Sequence, residues 1–228
     1  MTMLLNPYAF GGGGSSGFPE LRAKAKSSSA STMSASFSLP TYSTNDLLIA
    51  VLCVRSTASV ASMPSGWVSL GSQSQGSNTK CQAFYKIADG SEGSSVTVTF
   101  SVTTAVSGII SSIKNGTFNA AVAPEIAFAN ALTNAPNPPA LTPSSGSAKY
   151  MVIASYVCRG DMQPTAYPYA DGDFIQSQGT TGIAGTIGLT AICYGTFQAA
   201  SVDPSTFTTN AGANNFGTVM VTMSVKGP

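Results

Sequence analysis

The side chains best suited to chemistry in this chain are two short groups of carboxylates. They are Asp171-Gly172-Asp173 and Asp89-Gly90-Ser91-Glu92. A calcium ion takes about six to eight oxygen ligands, and either group with nearby carbonyls supplies part of such a shell. Neither has the further acidic positions of an EF-hand, and paired carboxylates in a glycosidase need one raised pKa. Acidic residues beside glycine are typical of turns, so we predict turns between strands and no metal site.

Three other short segments match the sequence patterns of catalytic or nucleotide-binding motifs but lack the predicted secondary structure that those motifs require. Gly12 to Gly17 fits the dinucleotide pattern G-x-G-x-x-G, but Phe18-Pro19 follows it where a helix is required. The serine-lysine pattern S-x-x-K occurs at Ser77–Lys80 and at Ser111–Lys114. In acyl enzymes that spacing lies on a helix, whereas both matches fall in a predicted turn or strand, where the two side chains point to opposite faces.

The composition removes further classes of active site. The chain has no histidine, which excludes Ser-His-Asp and Cys-His nucleophiles and histidine metal sites. The four cysteines stand far apart within apolar stretches, so we predict buried free thiols in place of zinc ligands or disulfides; they are Cys53, Cys81, Cys158 and Cys193. The sequence therefore predicts a protein that is not an enzyme and has no cofactor.

The charge content of the 228 residues is low. Charged residues make up 8% and the net charge is +1, so no field attracts nucleic acid or an anionic membrane. The longest apolar run, Leu47 to Val54, is about a third of the length that spans a bilayer. The start of the chain lacks a basic region and a long apolar segment. We therefore expect no nucleic-acid or membrane partner, and synthesis in a cytoplasm.

The elements that must position these groups are β-strands. Short segments rich in β-branched and aromatic residues alternate with Gly, Pro, Asn and Ser, and no window shows sustained helical spacing. The strands are predicted at 33–39, 46–55, 66–72, 80–88, 95–103, 106–114, 125–130, 148–159, 173–178, 187–197 and 216–226. Eleven short strands predict an all-β fold, a single jelly-roll-like β-sandwich over residues 33–228.

A weak internal repeat runs through this predicted sandwich. The segment from Ile49 to Arg55 is echoed from Ile153 to Arg159, with Ile, Ala and Arg at the same offsets. Each copy is followed by a loop, an aromatic strand and a long alternating strand. We predict half-repeats at about 33–133 and 145–228, joined by the Pro-rich loop 134–139, which pair into one two-sheet domain.

Residues 1–32 differ in composition and predict an extended N-terminal arm. Apolar residues at its tip precede a Gly/Ser stretch and a short basic patch. A partner-binding role is predicted for Leu4, Leu5, Pro7, Tyr8 and Phe10 at the tip and for Arg22, Lys24 and Lys26 in the patch. The patch would contact an acidic surface of a partner or form a solvated linker.

Four ordered strings resemble a family of accessory structural proteins in tailed-bacteriophage virions. They are Asp46-Leu47-Leu48-Ile49-Ala50, Pro64-Ser65-Gly66-Trp67, the run from Phe84 to Glu92, and the run from Asn137 to Pro143. The opening from Leu4 to Phe10 is similar to the first residues of many small phage head and tail proteins. The resemblance implies a non-enzymatic virion component, assembled in the bacterial cytoplasm, and transfers no catalytic residue.

From these observations we expect a structural protein on the exterior of a virion, docked through its arm. It would decorate or cement the capsid or tail, with the major capsid or tail protein as partner. A homo-oligomer is expected, and a trimer suits a symmetric site.

The alternative is a receptor- or polysaccharide-binding module at a tail tip or fibre. Its predicted ligand loop contains Asp161, Tyr167 and Tyr169, with a second loop at Gly179–Gly185. Tyr167, Tyr169 and Trp67 would form a platform for sugar stacking, although a turn entering a strand favours core packing of Trp67. A cell-surface adhesive domain outside any virus is a third possibility, disfavoured by the missing signal peptide.

Overall fold

A computed structural model describes residues 17–55, 57–176, 188–211 and 216–228. The described residues form an all-β fold of antiparallel strands. The strands are β1 (Leu21–Ser38), β2 (Leu47–Val54), β3 (Val60–Ser62), β4 (Val68–Gln75), β5 (Thr79–Ile87), β6 (Ser95–Ile113), β7 (Glu125–Thr133), β8 (Ala148–Arg159), β9 (Pro164–Ala166), β10 (Asp171–Gln176), β11 (Gly188–Ala199), β12 (Thr208–Thr209) and β13 (Phe216–Lys226). No helix in these ranges is long and apolar enough to cross a membrane.

The strands form two main sheets that face each other. Sheet A has the order β1-β6-β2-β5-β4, with β3 added beside β6, and sheet B has the order β10-β11-β8-β13-β7. Strands β9 and β12 form a separate small pair. This arrangement confirms the predicted all-β sandwich class.

Each half of the chain builds one sheet, and the two orders match strand for strand. Sheet B taken from its other edge is β7-β13-β8-β11-β10, so β7 corresponds to β1, β13 to β6, β8 to β2, β11 to β5 and β10 to β4. The short strands β3 and β9 also occupy equivalent places between their neighbours. A duplicated unit that buries one face against its copy produces this arrangement. The chain does not alternate between sheets, and this order does not confirm the finer jelly-roll prediction.

Two boundaries of the predicted halves are wrong, the start of the first half and the junction between the halves. Strand β1 begins at Leu21 and pairs with β6 along its length, so residues 21–32 belong to sheet A and not to an arm. Strand β7 pairs with β13, so the halves join between Ile113 and Glu125 and not in the Pro-rich loop. The backbone oxygen of Pro136 in that loop accepts a hydrogen bond from Phe207.

The core has three layers, which explains why the central strands lack alternation. All eight residues of β2 are buried because sheet A is covered on both faces. The layer between the sheets contains one set of side chains from β2 and β8, such as Ile49, Val51, Ile153 and Val157. The opposite set from β2, with Ala50 and Leu52, packs under residues of the bent outer part of β1 and β6. Central strands buried on both faces are continuous apolar runs.

Strands β1 and β6 are longer than the sequence predicts. The regions 95–103 and 106–114 form one strand of 19 residues. The register of β1 against β6 shifts between Ser29 and Ser34, which marks bulges, and bulges bend the strand that carries them. Beyond the bend, Ala35 and Phe37 join Val96 and Val98 in a cluster on the outer face of sheet A.

Candidate functional site

The basic patch predicted in the arm lies on β1 and forms ion pairs inside the domain. Arg22 Nε donates to Asp46 Oδ2 at 2.6 Å and Nη2 donates to Oδ1 at 3.2 Å. The backbone N–H groups of Ser43 and Asn115 also donate to this carboxylate, each at 2.8 Å. Burial alone would raise the pKa of Asp46, but these hydrogen bonds hold it below its ordinary value. Asp46 is completely buried, so this pair is a structural clamp; we call this part of the sandwich the Asp46 end.

The two lysines of the patch join the sheets. Lys24 Nζ lies 2.5 Å from Asp171 and Lys26 Nζ lies 2.9 Å from Asp173, so β1 of sheet A is tied to β10 of sheet B. The partner-binding role predicted for these three cations is therefore not supported, because each is occupied by a carboxylate of the same domain. The reason is the topology, which brings together residues 147 positions apart. The predicted tip, Leu4, Leu5, Pro7, Tyr8 and Phe10, lies outside the described residues.

The tyrosines of the predicted ligand loop pack on the outer face of sheet B. A methyl group at Gly172 would collide with the ring of Tyr167, and one at Gly195 with the ring of Tyr169. Both glycines thus allow a side chain to lie flat on the strand. Burial raises the pKa of each tyrosine to about 12. These rings cover the sheet and do not form an open platform.

The remaining members of the predicted ligand site are also separated. Asp161 is exposed and accepts a hydrogen bond from Gln163 Nε2 at 3.0 Å. Trp67 packs with the cluster on sheet A, on the opposite side of the sandwich from Tyr167 and Tyr169. The predicted three-ring platform is therefore wrong, and the second loop, Gly179–Gly185, lies outside the described residues.

The structure instead contains an open pocket of about 460 Å³ around Trp67. Its wall is the turn from Pro64 to Trp67, in which Gly66 adopts φ +88°. This conformation favours glycine, and a Cβ there would come within 3.0 Å of the Lys86 side chain. The other lining residues are Lys86, Asp89, Ser91, Glu92, Ser95, Val96 and Thr97.

The charges of this pocket are mutually satisfied. Lys86 Nζ lies 3.0 Å from both Asp89 Oδ2 and Glu92 Oε1. A hydrogen bond from Ser91, then one from Lys86, lowers the pKa of Asp89 to about 2. Burial raises the pKa of Glu92, but hydrogen bonds from backbone N–H groups and from Lys86 outweigh it and leave that pKa low. A glycosidase needs one protonated carboxylic acid, and neither group can serve as one near neutral pH.

One polar group of the pocket has no partner. Among the described residues, Trp67 Nε1 is buried and makes no hydrogen bond. Buried indole N–H groups usually find an acceptor. The residues that line the pocket include Trp67 and the hydroxyl-bearing Ser91, Ser95 and Thr97, a combination that suits a neutral polyol or sugar.

The four cysteines are free and buried. Burial raises the pKa of Cys53 and of Cys193 to about 12, and it also raises the pKa values of Cys81 and Cys158. A thiol is nucleophilic as its thiolate, so these side chains serve as small core residues. In the described ranges, no cluster of three or more His, Cys, Asp or Glu residues could hold a metal ion.

Comparisons with protein-family models, curated proteins and solved structures find no match for this chain. The predicted resemblance to phage virion proteins therefore stays a prediction. The geometry carries the functional argument.

The pocket brings together two segments that lie apart in the sequence. Pro64-Ser65-Gly66-Trp67 and the run ending at Glu92 both stand out in the sequence, but their contact depends on the pairing of β4 with β5, which places Val68 opposite Tyr85. A turn immediately before one strand and a turn after its partner meet at the same sheet edge. The sequence favours core packing of Trp67, which the structure shows, but it does not show that the two turns meet to form a pocket.

Proposed function

We propose that this protein is a non-enzymatic structural component on the exterior of a tailed-phage virion, decorating or cementing the capsid or tail. The supporting observation is that the thiols and the basic residues of β1 are buried or paired within the domain. The four thiols are buried, and the basic residues of β1 are paired within the domain. The solvent-exposed side chains of β1 and of the adjacent part of β6 are mainly Ser and Thr. These side chains do not titrate near neutral pH.

Docking through the first residues of the chain is part of this proposal. Deletion of residues 1–14 should abolish incorporation into particles while the sandwich stays folded, which the thermal unfolding midpoint checks. Electron microscopy of antibody-gold-labelled particles provides the readout. A truncated protein that still loads onto particles would contradict docking through these residues, and absence of the full-length chain from particles would contradict the virion role.

The second candidate function, a receptor- or polysaccharide-binding module, is favoured by the Trp67 pocket. A glycan array with the full chain provides the test, followed by the variant Trp67→Phe. Phenylalanine keeps an aromatic ring in the core cluster and reduces the ring surface that lines the pocket, so we expect binding to fall about tenfold. Tyr169→Phe is the matched control because it removes one polar group from an aromatic side chain outside the pocket. Equal loss in both variants, or no binding by the original chain, would contradict this candidate.

A further inference from the structure

The opposite end of the sandwich from Asp46 holds a buried charge that pairs with no carboxylate of the described residues. Arg159, the last residue of β8, is only 8% exposed. Among the described residues no carboxylate forms an ion pair with it, and its Nε has no hydrogen-bond partner. A buried charge is normally paired. Arg159 therefore differs from the charges at the Asp46 end; we call this region the Arg159 end.

A second arginine reaches the same place from the other sheet. Cys53 Sγ donates to the backbone oxygen of Cys158 at 3.5 Å, so the C-terminal ends of β2 and β8 lie close together there. The alternation of β8 puts Arg159 on the inter-sheet side with Val157, and the alternation of β2 continues to Arg55 from Cys53 on the same side. Burial lowers the pKa of Arg159, and the charge of Arg55 lowers it further, in agreement with the meeting of the two strand ends.

The internal duplication explains this pairing. Arg55 follows Ile49, and Arg159 follows Ile153, at the same offset, and β2 and β8 are equivalent strands. Two equivalent central strands facing each other place equivalent residues on either side of the pseudo-symmetry axis. Like charges in such a position repel unless an anion lies between them. Guanidinium groups present a planar set of donors that matches the oxygens of phosphate and carboxylate.

We propose that Arg55 and Arg159 form a binding site for an oxyanion, a phosphate or carboxylate group, at the Arg159 end of the inter-sheet layer. Arg159 supplies a desolvated charge, and the exposed Arg55 covers the outer side. In the same layer, Ser107 pairs with Cys53 and Thr190 pairs with Val157, and their hydroxyls lie 2.9 Å apart in a hydrogen bond, so the neighbouring polar groups carry no negative charge. The site is independent of the proposed virion role.

Thermal unfolding of the full chain tests the proposal. Inorganic phosphate and acetate are added separately at pH 7, each against sodium chloride of equal ionic strength. At an anion concentration about 100 times Kd, the Tm should rise by roughly 5–10 °C for a chain of this size. A rise with phosphate alone identifies a tetrahedral anion, and a rise with acetate alone identifies a carboxylate. No rise above chloride with either anion would overturn the proposal.

Variants separate a site from the general stabilising effect of phosphate, which acts by exclusion from protein surfaces. Arg159→Met should abolish the anion-specific rise in Tm. Arg55→Gln changes an exposed side chain, so it keeps the proposal testable if the first variant folds poorly, and it should weaken anion affinity at least fivefold by calorimetry. Lys26→Gln removes one positive charge elsewhere and should leave the rise intact. An unchanged rise in Arg159→Met and Arg55→Gln would mean an adventitious ion only.

Discussion

At the Asp46 end, a completely buried carboxylate accepts two hydrogen bonds from Arg22 and two from backbone N–H groups. At the Arg159 end, a guanidinium that is 8% exposed has no carboxylate partner among the described residues. The carboxylate is paired within the fold, whereas the guanidinium has no ion pair with any described residue. Removing one member of a buried pair is strongly destabilising, and a buried charge without an internal partner reduces stability until a ligand binds.

The largest effect should follow from Asp46→Ala. This change leaves Arg22 and the N–H groups of Ser43 and Asn115 without their acceptor. Removing one member of a buried pair costs about 3–5 kcal/mol, and because Arg22 is partly exposed we expect about 3 kcal/mol. Urea unfolding measures the loss. Asp171→Ala removes a carboxylate from an exposed pair and serves as the control; similar losses in the two variants would refute the contrast between a buried clamp and a surface pair.

The same substitution at two arginines should have opposite signs. Arg22→Met leaves the buried Asp46 carboxylate without its guanidinium partner. It should lower the free energy of unfolding by about 1.5–3 kcal/mol, the range for hydrogen bonds to charged groups. Arg159→Met removes a desolvated charge from an apolar layer and should raise it by about 1 kcal/mol. Both are measured in chloride buffer without phosphate.

If Arg159→Met destabilises the protein as strongly as Arg22→Met, the two ends do not differ in the way described. A partner for Arg159 beyond the described residues would then satisfy the charge. The anion-dependence of Tm distinguishes that case, because an internally paired arginine should show none.

Acid should act on the Asp46 end and not on the Arg159 end. The pKa of Asp46 is below its ordinary value of 3.8, so the stabilisation from its charge is complete above about pH 5. It is lost as the pH falls through the folded-state pKa. The chain has no histidine, and we expect a flat stability profile from pH 5 to 8 and a decline below pH 4.

The variant Asp46→Asn isolates this contribution. It should be less stable at pH 7 and should decline less steeply below pH 4 than the original chain, because Asp89 and Glu92 also have lowered pKa values and still titrate. Unfolding by urea at a series of pH values gives both slopes. Parallel profiles for the two proteins would show that Asp46 is not the group that titrates.

The strands could be predicted from the sequence where apolar residues carry the pattern. The run Leu47–Val54 predicts a strand whose two faces are both covered, and the structure agrees. The sequence does not reveal the start of β1, because the residues on its inter-sheet side, Lys24 and Lys26, are charged. The residues of the other face, Ala23, Ala25 and Ser27, are small, so the segment shows no hydrophobic alternation. It is an edge strand of sheet A, and lysines on such strands discourage pairing with other chains.

The sites were harder to predict because their partners are set by the stacking of the sheets. No local pattern connects Lys24 with Asp171, and no local pattern places Tyr167 on Gly172. The Arg159 end is different, since Arg55 and Arg159 occupy equal offsets in the repeat. A repeat whose central strands face each other brings equivalent residues together where those strands meet, here at the ends of β2 and β8. The proximity of Arg55 and Arg159 could therefore be predicted from the sequence.

The smallest effect should come from the two lysines that tie β1 to β10. Lys24 and Lys26 form ion pairs with partly exposed carboxylates, and such pairs contribute about 0.2–1 kcal/mol each. We expect the double variant Lys24→Gln with Lys26→Gln to lose about 1 kcal/mol in low salt and almost nothing in 1 M sodium chloride, where screening is strong. Lys226→Gln, which removes a cation that forms no ion pair in the described ranges, is the control. A loss that persists in high salt would mean that these lysines, like Arg22, form ion pairs that solvent does not screen. The difference would then lie between all the charges of β1 and those of the Arg159 end, and not between the Arg22–Asp46 pair and the two lysine pairs.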